Sequence, residues 1–95
     1  MLTDQPVVRR KGELLEARVE EELVGLDVEQ GACYGFNATA TRIWMLIEQP
    51  MRVAELRDAL LRRYDVEPER CERELAALLR ELAGDGLVEF EAPGA

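Results

Sequence analysis

The hydrophobic period of this 95-residue chain changes once, near residue 37, and this change restricts the fold more than any other feature. Before it, apolar residues alternate with polar ones, as in half-buried β-strands. After it, they recur every three or four residues, as on amphipathic helices. A chain of this length, 47% apolar and 34% charged, can bury one modest core. The sequence therefore predicts a single α+β domain with strands first and helices afterwards.

Three short strands are predicted, near residues 14–19, 22–28 and 32–37. Their connectors are so short that an antiparallel β-meander is the economical arrangement. Gly31 can adopt the positive φ that the second loop requires. In such a meander the first and third strands are edges, with unpaired backbone N–H and C=O groups on their outer sides.

Three helices follow: one from Asn37 to the stop at Gln49-Pro50, one over about 53–64 and one over about 68–83. Asn37 is a good N-cap, and Pro68 suits a first helical turn. Each helix has an apolar stripe, and we interpret the stripe around Trp44 as core. A last short strand or extended tail is expected over 87–90. A three-stranded meander followed by three helices is the outline of a winged helix-turn-helix-like domain.

The ends of the chain show no such pattern. Residues 1–12 contain Pro6 and Gly12 without amphipathic spacing, which predicts a flexible N-terminal arm. Residues 13–90 are predicted to form the folded domain, and residues 91–95 a frayed tail.

Few residues of the chain are of the types that catalyse reactions or bind metals. The chain lacks His, which excludes His-ligated zinc and a Ser-His-Asp triad. Cys33 and Cys71 are too far apart in sequence for a CxxC motif, and we expect two reduced, partly buried thiols. The run Glu20-Glu21-Glu22 is typical of a solvated turn rather than a metal site. We therefore expect no enzyme, no catalytic residue, no metal and no cofactor.

Nothing in the sequence indicates a membrane. The longest apolar run is four or five residues, around Trp44, whereas a span needs roughly 20. The N-terminus lacks the basic-then-apolar order of a secretory signal. We expect a cytoplasmic protein without a membrane partner.

The winged-helix outline makes a DNA-binding transcriptional regulator the alternative function. The third helix would then be the recognition helix. Residues 67–85 hold six acidic residues and three Arg, and the whole chain has a net charge of −8. A helix that enters the major groove should carry the opposite sign. We therefore expect no nucleic-acid partner.

The free edge of the third strand offers a mechanism for binding a peptide. An extended peptide can pair its backbone with such an edge and place alternate side chains in a groove beside a helix. Cys33 and Gly35 are small, which leaves room on the face opposite Tyr34 and Phe36.

The residues at the change of period resemble the PqqD family. The resemblance covers about residues 14–90, and its most specific part is an aromatic-glycine-Phe-Asn-x-Thr-Ala-x-x-Ile-Trp segment, here Tyr34-Gly35-Phe36-Asn37-Ala38-Thr39-Ala40-Thr41-Arg42-Ile43-Trp44. It implies a leader-peptide recognition domain for ribosomally synthesised and post-translationally modified peptides. Family members are non-catalytic adaptors. They hold the leader of a precursor peptide as an added strand and present it to a maturation enzyme.

The resemblance also implies the site. The pairing strand is Ala32, Cys33, Tyr34, Gly35 and Phe36, and the facing third helix contributes Arg70, Arg73, Glu74, Ala77 and Leu78. We expect the groove to use the flank of that helix with Arg70, Glu74, Ala77 and Glu81. The opposite flank, with Glu72, Ala76 and Ala83, stays open as an alternative.

The partners are implied only by class. Relatives in pyrroloquinoline quinone biosynthesis work with a radical SAM enzyme, whereas stand-alone relatives in lasso-peptide clusters work with a leader peptidase. The Tyr34–Trp44 segment is closer to the stand-alone type. The charge of −8 predicts a leader or enzyme with complementary positive charge. A dimer formed by exchange of the exposed strands stays open.

Overall fold

A computed structural model describes residues 6–91, which form six strands and three helices. The strands are β1 (Val7–Arg10), β2 (Leu15–Val19), β3 (Glu22–Asp27), β4 (Ala32–Phe36), β5 (Met51–Arg52) and β6 (Val88–Glu91), and the helices are α1 (Ala38–Leu46), α2 (Val53–Arg63) and α3 (Pro68–Gly84). The predicted α+β class, with a three-stranded meander and three helices, is confirmed.

The meander has the strand order β2-β3-β4, and both pairings are antiparallel. A two-residue loop joins β2 to β3, with Glu20 at φ 60°. Gly31, before β4, has φ 70°, as its predicted loop position required. One face of the sheet packs on the helices through Leu23 and Phe36, which are 1% and 4% exposed. β2 and β4 are therefore the two edges of this sheet.

The helices begin and end close to where the sequence predicted. The Asn37 side chain accepts a hydrogen bond from the Ala40 N–H at 2.8 Å, so Asn37 is the N-cap of α1. Pro68 lies in the first turn of α3. The buried residues of the helices are Ala40, Thr41, Ile43 and Trp44 on α1, Leu56 and Leu60 on α2, and Cys71, Leu75, Leu79 and Leu82 on α3.

A second sheet, with the order β5-β1-β6, was not predicted. Its central strand is β1, and Val8 in that strand is completely buried. Arg9 extends from β1 to Glu89 and Glu91 on β6, with ion-pair distances of 3.2 and 2.6 Å. The prediction of a flexible arm over residues 1–12 is therefore wrong for residues 7–10. The strand is too short to show a period, and its partners come from distant parts of the chain.

Arg10 connects β1 to the core. Its guanidinium lies 4.3 Å from the centroid of the Trp44 ring and donates to the Trp44 carbonyl oxygen. The Trp44 indole N–H donates to the Glu16 carboxylate at 2.8 Å, and Glu16 also lies 3.8 Å from Arg10. Trp44 is 1% exposed, as expected for a core residue.

Two smaller expectations need correction. Cys33 and Cys71 are both free thiols, but only Cys71 is buried, whereas Cys33 is exposed because it points to the outer face of the meander. Glu91, assigned to a frayed tail, is the last residue of β6. Residues 1–5 and 92–95, where the rest of the predicted arm and tail falls, lie outside the described residues.

Candidate peptide-binding site

β4 has one open side. Within residues 6–91 it pairs with β3 alone, so its other side has no strand partner there. The backbone groups that point outward can be deduced from the hairpin. Val19 and Glu22 flank the two-residue loop between β2 and β3, and residues in that position exchange both backbone hydrogen bonds. Bonded and non-bonded pairs then alternate along each antiparallel strand pair.

This alternation assigns every residue of β4 to one side. Along β3, even-numbered residues direct their N–H and C=O toward β2, and odd-numbered residues direct theirs toward β4. The partners of the odd-numbered residues are Ala32, Tyr34 and Phe36. The N–H and C=O groups of Cys33 and Gly35 therefore point to the open side. Two donors and two acceptors are available there to an added strand.

A groove of about 230 Å³ lies between β4 and the C-terminal half of α3. Its apolar lining consists of Tyr34, Phe36, Ala40, Leu78, Leu82 and Leu87, and its polar lining on α3 and the following turn consists of Glu81 and Asp85. Cys33 and Gly35 complete the β4 wall. Gly35 pairs with Val24, so a Cβ atom added to it would point to the opposite, outer face of the meander, where it would meet no other atom within 4 Å.

A smaller apolar pocket of about 150 Å³ lies beside the groove. Leu78 lines both spaces, and the pocket is completed by Thr39, Ile43, Leu60, Tyr64, Val66, Cys71, Glu74 and Leu75. A peptide along the β4 edge could place an apolar side chain in it. Burial raises the pKa of the Cys71 thiol, so this sulfur behaves as an apolar surface rather than as a nucleophile.

The charges near the groove are acidic. Glu81 and Asp85 line it, and both are exposed. Arg70 and Glu74, one turn apart on α3, form an exposed ion pair at 2.9 Å. The hydrogen bond that Arg70 donates to the Glu74 carboxylate, and the charge of that carboxylate, raise the pKa of Arg70, so this cation is paired with an acidic neighbour. A ligand with positive charge fits this edge better than an anionic one.

The structure brings together part of the residue set expected at the site. The five residues of β4 form the open edge, Leu78 lines the groove and the pocket, and Glu74 lines the pocket. Arg70, Arg73 and Ala77 are exposed on α3 and line neither space. Four lining residues of the groove were not in the expected set, namely Ala40, Leu82, Asp85 and Leu87. Leu82 belongs to the buried stripe of α3, and no local sequence pattern indicates that Leu87 lies beside β4.

The flank of α3 that was left open can now be assigned. Glu72 lies on the side toward α2, where its carboxylate binds Arg57 at 2.7 Å. Ala76 lines a cleft on that same side together with Val53 and Arg57. The flank with Glu81 is therefore the one that faces β4.

Within residues 6–91 there is no group of three or more His, Cys, Asp or Glu residues placed to hold a metal ion. None of the helices in this range is long and apolar enough to span a membrane. On α3, the helix that a DNA-binding protein would insert into the major groove, the exposed charged residues are four Glu and three Arg: Glu69, Glu72, Glu74, Glu81, Arg70, Arg73 and Arg80.

An open strand edge, an apolar groove beside it and a winged helix-turn-helix-like frame define a domain of the peptide-recognition class. The family model of coenzyme PQQ synthesis protein D (PqqD) matches residues 22–88, and this chain belongs to the PqqD family. A solved structure, TbiB1 in complex with the TbiA(beta) leader peptide, is similar with a TM-score of 0.77 and 33% sequence identity. The match covers 85% of this chain and 94% of that one. A comparison with curated proteins finds no match.

Proposed function

We propose that this protein is a non-catalytic adaptor that binds the leader of a ribosomally made precursor peptide and presents it to a maturation enzyme. The observation that carries the proposal is the open edge of β4 beside an apolar groove. Membership of the PqqD family and the similarity to TbiB1, a protein solved with a leader peptide, support it.

The leader adds as a strand antiparallel or parallel to β4. Its backbone bonds to the N–H and C=O groups of Cys33 and Gly35, and its alternate side chains enter the groove against Leu78. The carboxylates of Glu81 and Asp85 favour Lys or Arg in the leader near the C-terminal end of α3. Backbone pairing provides affinity for an extended peptide, and the groove and its charges select the sequence.

The partner enzyme is a leader peptidase of the lasso-peptide type. The resemblance of the Tyr34–Trp44 segment to stand-alone relatives supports this partner, and a radical SAM enzyme is the alternative. The two candidate enzymes are distinguished by measuring the activity of each purified enzyme on its precursor with and without the adaptor. The peptidase should cleave faster with the adaptor present, and stimulation of the radical SAM enzyme alone would overturn the assignment.

The test of leader binding is a fluorescence-polarisation titration with labelled N-terminal segments of precursor peptides encoded beside this protein. Gly35→Pro removes an outward N–H while leaving the bonds between β3 and β4 intact, and Pro is tolerated at such an edge position. We expect it to weaken binding by roughly tenfold or more, because a backbone hydrogen bond is lost and the added strand is displaced.

The matched control is Arg18→Pro on β2, the opposite edge of the same sheet. Arg18 pairs with Leu23 at a non-bonded position, so its N–H also points outward. Arg18→Pro should leave leader affinity unchanged. If both proline variants bind like the wild-type protein while remaining folded, strand addition to β4 is refuted. If only Arg18→Pro loses binding, the leader uses β2 instead.

A further inference from the structure

The outer face of the meander is apolar. An antiparallel sheet with one face on the core normally turns polar residues toward water on the other face. Here the outward residues are Leu15, Ala17 and Val19 on β2, Val24 and Leu26 on β3, and Cys33 and Gly35 on β4. We call this set the outer sheet face.

The side chains of this face are exposed rather than covered. Leu15 and Val19 are each 64% exposed, and Val24 and Leu26 are each 40% exposed. The register places Leu15 opposite Leu26, so the patch is contiguous across strands. A contiguous exposed apolar patch on a small domain indicates a binding surface.

The arrangement on β2 is the reverse of that in an ordinary edge strand. Its polar residues Glu16 and Arg18 point inward, where Glu16 accepts from the Trp44 indole and Arg18 reaches the Met45 sulfur at 3.2 Å. Its apolar residues are left on the outside. The apolar exposure therefore follows from a register that these contacts with α1 hold, and a slip of one residue would break them.

The rim of the face is acidic at both ends. The β2–β3 turn holds Glu20 and Glu21, and Glu22 lies on the face itself. The β3–β4 end holds Glu29, with Glu13 and Lys11 lining the same cleft, and Asp27, whose carboxylate accepts from the backbone N–H groups of Glu29 and Gln30, so this end is also net acidic. No Lys or Arg belongs to the outer sheet face. Its partner should therefore combine an apolar centre with a basic rim.

A second copy of this chain does not fit that description. Two packed sheets keep their strands nearly aligned or cross at about 90°. Both ends of the hairpins are acidic, so a parallel or an antiparallel stack would place carboxylates of one copy against carboxylates of the other. The net charge of −8 adds to that repulsion.

We propose that the outer sheet face docks the maturation enzyme, through an apolar patch on that enzyme surrounded by Lys and Arg. This inference rests on the proposed function and deepens it. A leader paired with β4 would extend the same sheet, so half of its side chains would border the docking surface. The enzyme would then bind the adaptor and the leader as one continuous sheet.

The test uses the double variant Leu15→Lys/Leu26→Glu. These residues are cross-strand partners, so the new side chains form an opposite-charge pair that maintains the sheet while removing apolar surface. The control is Phe90→Gln, which changes an exposed apolar side chain on β6, off this face. Affinity for the purified enzyme encoded beside this protein is measured by biolayer interferometry, and affinity for the leader by fluorescence polarisation.

We expect the double variant to bind the enzyme roughly tenfold more weakly or worse, since two central apolar contacts are lost. Its leader affinity should stay within about twofold of the wild-type value, because the outward backbone groups of β4 are untouched. Phe90→Gln should change neither. Wild-type enzyme binding should weaken as salt is raised.

A second measurement tests directly whether the enzyme covers the outer sheet face. Cys33 lies on the outer sheet face and is exposed, so the enzyme, without leader, should slow its alkylation by N-ethylmaleimide. Unchanged enzyme affinity in the double variant, or unchanged alkylation of Cys33, would overturn the docking proposal while leader binding stands. A dimer of the wild-type protein that this variant dissolves would assign the face to a second copy. Loss of leader binding by the wild-type protein would overturn the proposed function instead.

Discussion

Truncating Val8 to alanine tests whether the N-terminal segment is a structural strand. Val8 is completely buried in β1, between β5 and β6. Val8→Ala removes two methyl groups, worth about 0.8 kcal/mol each in transfer free energy, and the cavity left behind adds to this. We expect the free energy of unfolding to fall by about 2–3 kcal/mol. For a domain of this size that corresponds to a decrease in Tm of roughly 10 °C or more.

The matched control is Val7→Ala in the same strand. Val7 is only partly buried, and the substitution changes strand propensity by the same amount. Its cost should be about 1 kcal/mol or less. Both variants are measured by urea unfolding followed by Trp44 fluorescence, with the slope m checked for constancy. Equal costs below about 0.5 kcal/mol for both would mean that β1 does not pack on the core.

Three further predictions concern the two thiols and two of the glycines. Iodoacetamide should modify Cys33 in the folded protein, while Cys71 should react only on unfolding; mass spectrometry of the digested protein checks this, and rapid labelling of Cys71 would contradict its burial. Burial raises the pKa of Cys71 in the folded protein, because the neutral thiol is favoured there. The stability that the buried thiol contributes is therefore complete below the ordinary thiol pKa of about 8.5. It is lost as the pH rises through the higher folded-state pKa. Gly25→Ala should cost about 1 kcal/mol or more, since its Cβ would lie 2.6 Å from Leu14 Cδ1. Gly35→Ala, with open space, should cost less in the same thermal melts, and the reverse order would refute the assigned faces of the meander.

Local patterns predicted most of the fold. The alternation over β2 to β4 and the helical stripes depend on neighbouring residues, so they are visible in the sequence. Asn37 and Pro68 marked helix starts that the structure confirms. The second sheet was missed because its pairing is non-local: Arg9 on β1 meets Glu91 on β6 across 82 positions. A two-residue strand such as β5 has no period at all.

The site was predicted less completely than the fold. The open edge of β4 followed from strand order, which short loops determine. The residues of α3 depended on how that helix is rotated and tilted over the sheet. The family resemblance implied residues of α3 without the rotation or tilt of this helix, so it included Arg73, which is exposed and does not line the groove. Asp85 and Leu87 enter the groove through the turn after α3, which has no helical phase.

The alternation in the sequence showed that the meander has two faces, but it did not show which face is exposed. Val24, Leu26 and Val28 could equally have faced the core, since both faces of β3 contain apolar residues. The interior contacts of Glu16 with Trp44 and Arg10 decide the side. Such a contact joins residues 28 positions apart and is available only from the three-dimensional structure.

Amide hydrogen exchange of single residues, with and without bound leader, tests strand addition to β4 most directly. In the free protein the N–H groups of Cys33 and Gly35 point away from the sheet and should exchange fast, as should those of Glu16 and Arg18 on the opposite edge. With leader bound, the account predicts strong protection of Cys33 and Gly35 and no change at Glu16 and Arg18. Saturating leader that leaves Cys33 and Gly35 unprotected would contradict it.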